Sequence, residues 1–172
     1  ALNLPFKEAS FDIVVNNHVI EHVSDPERSV SEISRVLKIG GLLYMATQNK
    51  FWPIEPHYRL LFLSYLPKSL ANVYVKITKR AKNYEDINLL NYRSLTAMLK
   101  RSSFQLNDVS LEIALNPNEY YVSSYMNPST LEISKKIAGL LIKALGPLSK
   151  KILPWLTASW VVIGQKRYNK LT

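Results

Sequence analysis

The first strong pattern in the chain is an apolar run that ends abruptly in polar residues. Residues 11–17 read FDIVVNN, a short β-branched run without alternation. Such a run is typical of a strand covered on both faces in a parallel sheet. A second run, LLYMAT at residues 42–47, follows a segment with helical spacing. The pattern predicts a strand–helix–strand unit with a right-handed crossover.

The segment between the two strands carries the signals of a helix start and a helix end. Ser24 or Asp25 can cap the first turn, and Glu27 completes a capping box. Apolar residues then recur at helical spacing as far as Leu37, and the pair Gly40–Gly41 is predicted to end the helix.

Beyond residue 49 the pattern is less regular and richer in aromatic residues and proline. We expect a mostly helical insertion first, and then two late strands that form an antiparallel hairpin. The predicted elements are the insertion at residues 50–91, helices at 92–100 and 131–145, and strands at 104–115 and 160–165.

Polar residues follow both of the first two strands. They are Asn16–His22 after the first strand and Thr47–Asn49 after the second. In open α/β sheets, ligands bind beyond the carboxyl ends of the strands. We therefore expect the two polar clusters to face one crevice.

Composition narrows the classes of protein and of site. The chain has 172 residues, 47% of them hydrophobic, with no cysteine and a net charge of +9. Disulfides and thiolate metal sites are excluded, a cytoplasmic setting fits, and no run reaches the roughly 18 apolar residues of a membrane span. No zinc-finger, RRM or KH pattern indicates a nucleic-acid partner. The chain starts without methionine, so we expect upstream sequence.

Residues 4–49 (LPFKEASFDIVVNNHVIEHVSDPERSVSEISRVLKIGGLLYMATQN) resemble the middle of a class I S-adenosylmethionine-dependent methyltransferase of type 11. The order and spacing of LPF, FD, EH, DP and GG carry the resemblance, while Ile39 and Gln48 replace prolines that are usual in the family. The resemblance implies an α/β fold, namely the C-terminal part of a Rossmann-like doubly wound sheet. Its strands would be strands 4, 5, 7 and 6 of that fold, with added helices.

The resemblance also assigns residues to the cofactor S-adenosylmethionine. Ala1 and Leu2 would lie along the adenine, and Asn17 and His18 along the methionine moiety, with Glu21 bordering the cofactor. The family's glycine-rich loop and ribose-binding acid do not occur in this sequence. We therefore interpret residues 1–172 as one truncated methyltransferase domain that binds the cofactor weakly by itself.

The predicted activity of the intact protein is methyl transfer to a small-molecule or lipid-like acceptor. His22 and His57 are the catalytic candidates, because a histidine can take a proton near neutral pH. Each has a structural alternative: His22 could order its turn, and His57 could belong to a loop packed on the core. Alignment of the reactants could supply most of the catalysis without a base. No metal site is expected, because no second histidine stands at ligand spacing.

Two further hypotheses stay open at this point. The chain could be a non-catalytic remnant that binds a membrane surface or a protein through basic amphipathic segments at residues 60–82 and 135–156. These segments could equally be ordinary helices that cover the sheet. Separately, Tyr120, Tyr121 and Tyr125 could line an acceptor pocket or anchor a loop. The insertion at residues 50–91 is expected to lie near the acceptor.

Overall fold

A computed structural model of the protein describes residues 1–84, 87–116, 128–152 and 157–168. The strands are β1 (Phe11–Asn17), β2 (Leu37–Gln48), β3 (Ile54–Glu55), β4 (Leu60–Leu61), β5 (Phe104–Asp108) and β6 (Ser159–Lys166). The helices are α1 (Pro26–Val36), α2 (Lys68–Ile77), α3 (Tyr92–Arg101), α4 (Ser110–Leu115), α5 (Pro128–Leu145) and α6 (Ser149–Ile152), with 3₁₀ turns at Ile20–His22, Leu63–Tyr65 and Gly146–Leu148.

A mixed four-stranded sheet forms the centre of the fold, in the order β1-β2-β6-β5. β1 and β2 are parallel, and β6 is antiparallel to both β2 and β5. The predicted parallel pair and the predicted antiparallel late pair are confirmed. The four strands also stand in the expected order. The late pair is not a tight hairpin, because α4, α5 and α6 lie between its strands in the chain.

Helix α1 is shorter than its apolar pattern predicts. Asp25 caps it, with the side chain accepting from the backbone N–H of Arg28 at 3.0 Å. The helix ends at Val36, and Leu37 already pairs with Phe11 in the sheet. The prediction that Gly40–Gly41 ends the helix is therefore wrong. Gly40, with φ +80°, and Gly41 instead allow an irregularity in the β1–β2 pairing, and a Cβ at Gly41 would lie 2.9 Å from a backbone oxygen.

The predicted strand over residues 104–115 is only half correct. β5 ends at Asp108, whose carboxylate accepts from the backbone N–H of Ser110 at 2.8 Å. The chain then enters helix α4. This hydrogen bond from the backbone to the side chain of Asp108 competes with the backbone hydrogen bonds of the sheet and so ends the strand. The alternating pattern of the sequence does not reveal this competition.

Strand β1 is buried on one face only. Val14 packs against the main core and Asn16 is buried, whereas Ile13 and Val15 are 61% and 65% exposed. The expectation that both faces of this strand are covered is wrong for the part of the chain that the structure describes. Within that part, β1 pairs with β2 alone and so lies at an edge of the sheet.

Two hydrophobic clusters organise the described residues. The main core joins the sheet to α1 and α3, and includes Leu43, Met45, Leu99 and Trp160. Residues 50–91 have a separate satellite cluster, which consists of Leu60, Leu63, Ala71, Val75, Tyr84 and Ile87. Tyr120, Tyr121 and Tyr125 lie outside the described residues. Of the helices that are described, none has both the length and the apolar character that crossing a membrane requires.

Candidate functional site

The turn that follows β1 places the first polar cluster. His18 has a left-handed backbone with φ 54°, a conformation that costs free energy in a residue other than glycine. Its backbone N–H donates to the carbonyl of Ala46 at 2.9 Å, so the turn stays tied to β2. The chain then forms the 3₁₀ turn Ile20–His22. Asn17 is exposed at the end of β1.

Glu21 joins the ends of the first two strands. Its side chain is fully buried, with one carboxylate oxygen 3.1 Å from Nδ1 of His18 and the other accepting from the hydroxyl of Thr47 at 3.0 Å. Burial by itself would raise the pKa of Glu21. The hydrogen bonds from His18, its own backbone and Thr47 outweigh it and lower the pKa below the usual value, so the group is a carboxylate. The two predicted polar clusters are therefore neighbours.

A second glutamate–histidine pair comes from the hairpin of β3 and β4. Glu55 is fully buried, and one of its oxygens lies 2.7 Å from Nδ1 of His57. Its other oxygen accepts from the backbone N–H of Tyr58 at 2.7 Å. Burial raises the pKa of Tyr84, and the negative charge of Glu55 raises it further. Glu55 therefore fixes both the ring of His57 and the backbone that follows it.

The two pairs meet through His57 and through His22, the residue that follows Glu21. The rings of His22 and His57 pack edge to face, with 5.2 Å between centroids and an interplanar angle of 88°. A carboxylate oxygen of Glu21 and one ring nitrogen each from His22 and His57 all lie within 4.8 Å of one another. His18 contacts Glu21, so all three histidines of the chain belong to one cluster.

The backbone of the 50–91 segment also supports this turn. The N–H of Asn88 donates to the carbonyl of Glu21 at 2.7 Å, and the side-chain amide of Asn88 donates to the carbonyl of Val23 at 3.2 Å. The position of the segment beside the turn is thus fixed by backbone bonds as well as by the histidine contact.

The first residues of the chain lie against α1 and are hydrogen-bonded to it. The carbonyl of Leu2 accepts from Nε of Arg28 at 2.9 Å, and the N–H of Leu4 donates to Glu32 at 2.8 Å. Two hydrogen bonds lower the pKa of Glu32 to about 2. The bond from the side chain of Arg35 has the larger effect, and the bond from the backbone N–H of Leu4 comes second. Ala1 is exposed beside this anchored segment. The roles predicted for Ala1 and Leu2 stay predictions.

The cluster adds two residues to those predicted from sequence. Thr47 and Glu55 were given no cofactor or catalytic role, although Thr47 belongs to a predicted polar cluster and each touches a residue with a predicted role. Thr47 has a visible signal, since it stands at the carboxyl end of a predicted strand. Glu55 has only its spacing from His57 as a signal, and its burial cannot be deduced from that.

Part of the chain is similar in sequence to known proteins. Residues 1–45 match the family described as Methyltransferase domain. A demethylmenaquinone methyltransferase of Paenarthrobacter aurescens is 32% identical over 84 residues, which are 49% of this chain and 32% of that protein. A probable S-adenosylmethionine-dependent methyltransferase of Mycobacterium tuberculosis is 51% identical over 47 residues, which are 27% of this chain and 17% of that protein.

The amino-terminal part of this chain is thus similar in sequence to the Methyltransferase domain family and to a probable S-adenosylmethionine-dependent methyltransferase. The matched family segment contains β1, α1, His18, Glu21 and His22, but not the hairpin with His57. The chain spans less than half the length of these curated relatives. The solved structure of YcgJ from Bacillus subtilis covers 98% of this chain and 69% of its own, at 18% identity and a TM-score of 0.49.

Proposed function

We propose that the protein takes part in methyl transfer from S-adenosylmethionine to a small-molecule or lipid-like acceptor. The observation that carries the proposal is the hydrogen bond between Glu21 and Thr47, which joins the carboxyl ends of β1 and β2 in one polar site. Ligands of open α/β sheets bind at such an edge. The family relation of residues 1–45 supports the choice of cofactor.

In this proposal the residues divide between cofactor and acceptor. Asn17 and His18 contact the methionine moiety of the cofactor, and the buried carboxylate of Glu21 holds the ring of His18 in place. His22 and His57 face the acceptor from two different segments of the chain. Methyl transfer is a displacement at a sulfonium methyl group, so holding the two reactants in line supplies much of the rate.

The start of the chain and the 50–91 segment complete the proposed arrangement. Ala1 and Leu2 lie along the adenine, in a segment that α1 holds in place. The 50–91 segment borders the acceptor through His57. We expect residues 1–172 by themselves to bind the cofactor weakly, because the glycine-rich loop of the family is not among them.

Chemical-shift mapping by NMR tests this proposal even if binding is weak. Millimolar S-adenosylmethionine should shift the amide signals of Leu2, Asn17 and His18 and the methyl signal of Ala1, whereas ATP, which shares only the adenosine part, should leave Asn17 and His18 unshifted. Asn17→Ala should reduce the shifts. Shifts confined to other residues, or no saturable shifts, would contradict the assignment. Calorimetry measures the affinity, and micromolar binding would overturn only the expectation of weak binding.

A second function, contact with an anionic membrane surface, is favoured by α2. Leu70, Val73 and Ile77 lie on one stripe of this helix and are 56%, 53% and 73% exposed. Exposed basic residues accompany the stripe, and they are Lys68, Lys76, Lys79, Arg80 and Lys82. An apolar stripe with basic neighbours is the pattern of a helix that lies in a lipid interface.

Co-sedimentation with vesicles tests the membrane contact independently of methyl transfer. Vesicles rich in phosphatidylserine should bind the protein, and Val73→Asp should reduce the bound fraction. Ile39→Asp, at an exposed apolar residue on the sheet, is the matched control and should leave binding unchanged. Equal binding to neutral vesicles, or an equal loss in both variants, would contradict the proposal.

A further inference from the structure

The geometry points to a binding site for a divalent transition-metal ion, with Glu21, His22 and His57 as its ligands. The three candidate ligand atoms lie within 4.8 Å of one another and come from two distant segments of the chain. Ligands that share one Zn²⁺ lie roughly 3.3 Å apart, given bonds of about 2.0–2.1 Å in tetrahedral geometry. The exposed side chain of His22 can move to close the difference, while Glu55 holds the ring of His57.

The surroundings of His57 are those of a metal ligand. Its Nδ1 lies 2.7 Å from the buried carboxylate of Glu55. When Nδ1 donates its proton to that carboxylate, Nε2 carries the lone pair that coordinates an ion. A carboxylate that holds the second ring nitrogen of a histidine ligand is a common outer contact at metal sites, because it fixes the ring and makes the ligand more basic.

Glu21 is supported in a comparable way. His18 and Thr47 each bond to a different oxygen of its carboxylate, which fixes the plane of the group. Each carboxylate oxygen accepts more than one bond, so these contacts leave the group able to coordinate.

The ligand set selects the kind of ion. Two imidazoles and one carboxylate suit Zn²⁺ and similar first-row ions, whereas Mg²⁺ prefers oxygen ligands and keeps several waters. Three protein ligands leave at least one position open to water or to an oxygen of a bound molecule. The absence of a second histidine at sequence spacing does not bear on this site, because the second histidine comes from the β3–β4 hairpin. The site stands on side-chain geometry and does not depend on methyl transfer.

Calorimetric titration with ZnCl₂ tests the site in the full 172-residue chain, prepared without a polyhistidine tag. We expect one saturable site with micromolar affinity and no comparable heat from MgCl₂. His22→Gln and His57→Gln should each abolish the binding. Glu55→Gln should weaken it about tenfold to a hundredfold, as loss of an outer contact does.

Controls separate loss of the site from loss of the fold. Glu27→Gln removes an exposed carboxylate that pairs only with Arg101 at the surface, and its zinc affinity should equal that of the wild type. Each variant should keep the wild-type circular dichroism spectrum. Co²⁺ should give visible absorption bands that disappear in His57→Gln. No saturable binding at millimolar zinc, or unchanged binding and Co²⁺ bands in a folded His57→Gln variant, would overturn the proposal.

Discussion

Residues 1–49 and residues 50–91 each contribute a glutamate–histidine pair to the site, but they stabilise it by different means. The pair of His18 and Glu21 lies in a turn between two strands of the main sheet. The pair of Glu55 and His57 lies on the β3–β4 hairpin, whose two strands have two residues each and which packs with the satellite cluster. The first pair therefore depends on the main core, and the second depends on a smaller unit that can open locally.

The difference shows that a site can combine a side held by the main core, here residues 1–49, with a less stable side, here residues 50–91. Asn88 bonds to the backbone of Glu21 and Val23, and the contact of His22 with His57 adds a side-chain link. A ligand that contacts both sides would suppress the local opening of residues 50–91, because it stabilises the folded state against every opening that destroys its site.

A pair of matched core substitutions is expected to have the largest effect. Leu43 and Leu63 are both fully buried, one in the main core and one in the satellite cluster. Leu43→Ala should lower the free energy of global unfolding by about 2–5 kcal/mol. Leu63→Ala should speed amide hydrogen exchange within residues 50–91 and leave the exchange of the sheet close to wild type. Equal loss of protection in the sheet in both variants would show that the two regions form one cooperative unit.

Replacing the two buried carboxylates tests whether the pairs act together. Glu21→Gln and Glu55→Gln each turn an oxygen into an amide that faces a hydrogen-bond donor, at a cost of about 1–3 kcal/mol. We expect the double variant to depart from additivity by at least about 0.5 kcal/mol, since His22 touches His57. Urea denaturation measures all four proteins of the cycle. Additive effects would mean that the pairs are energetically independent.

Removal of the side-chain cap at the start of α1 is expected to have a smaller effect. Asp25 caps α1, whereas Pro67 precedes α2 without a side-chain bond to its first turn. Asp25→Ala should destabilise the protein by about 0.5–2 kcal/mol, and Asp25→Asn should restore most of the loss. Thermal denaturation compares the variants. A loss that Asn does not restore would assign the effect to charge and not to capping.

Acid should weaken the amino-terminal segment, and we expect this effect to be the smallest. The pKa of Glu32 is about 2 in the folded protein against an ordinary value of 4.5. Its contribution to stability is therefore complete above pH 4.5 and is lost as the pH falls towards 2. The Leu4 N–H donates to Glu32, so the protection of this amide, measured relative to its intrinsic exchange rate at each pH, should fall over this range. In Glu32→Gln the exchange at Leu4, corrected for its intrinsic rate, should vary less over the same range.

Much of the fold could be predicted from local patterns. The apolar run of β1 and the helical spacing of α1 depend on nearby residues, and both elements were confirmed. Of the two predicted candidates for the cap, Ser24 and Asp25, the structure shows Asp25. The end of α1 was wrong because pairing of Leu37 with Phe11 in the sheet competes with the helix. The second half of residues 104–115 was wrong because Asp108 bonds to the backbone of Ser110.

The site was only partly predictable for the same reason. Asn17, His18, Glu21 and His22 are close in the sequence, and they follow a predicted strand, which is a local signal. The burial of Glu21 and its bond to Thr47 depend on the register between β1 and β2. The buried position of Glu55 depends on the hairpin and the satellite cluster, neither of which has a periodic pattern.

The sequence by itself determined the strand–helix–strand unit, the polar turn at its end and the resemblance of residues 4–49 to a methyltransferase. Those features depend on residues that are neighbours along the chain. Only the tertiary structure decided that His57 meets His22, and that a buried glutamate supports each side of the cluster. The physical reason is that contacts between distant segments are set by packing and strand register, which no short stretch of sequence contains.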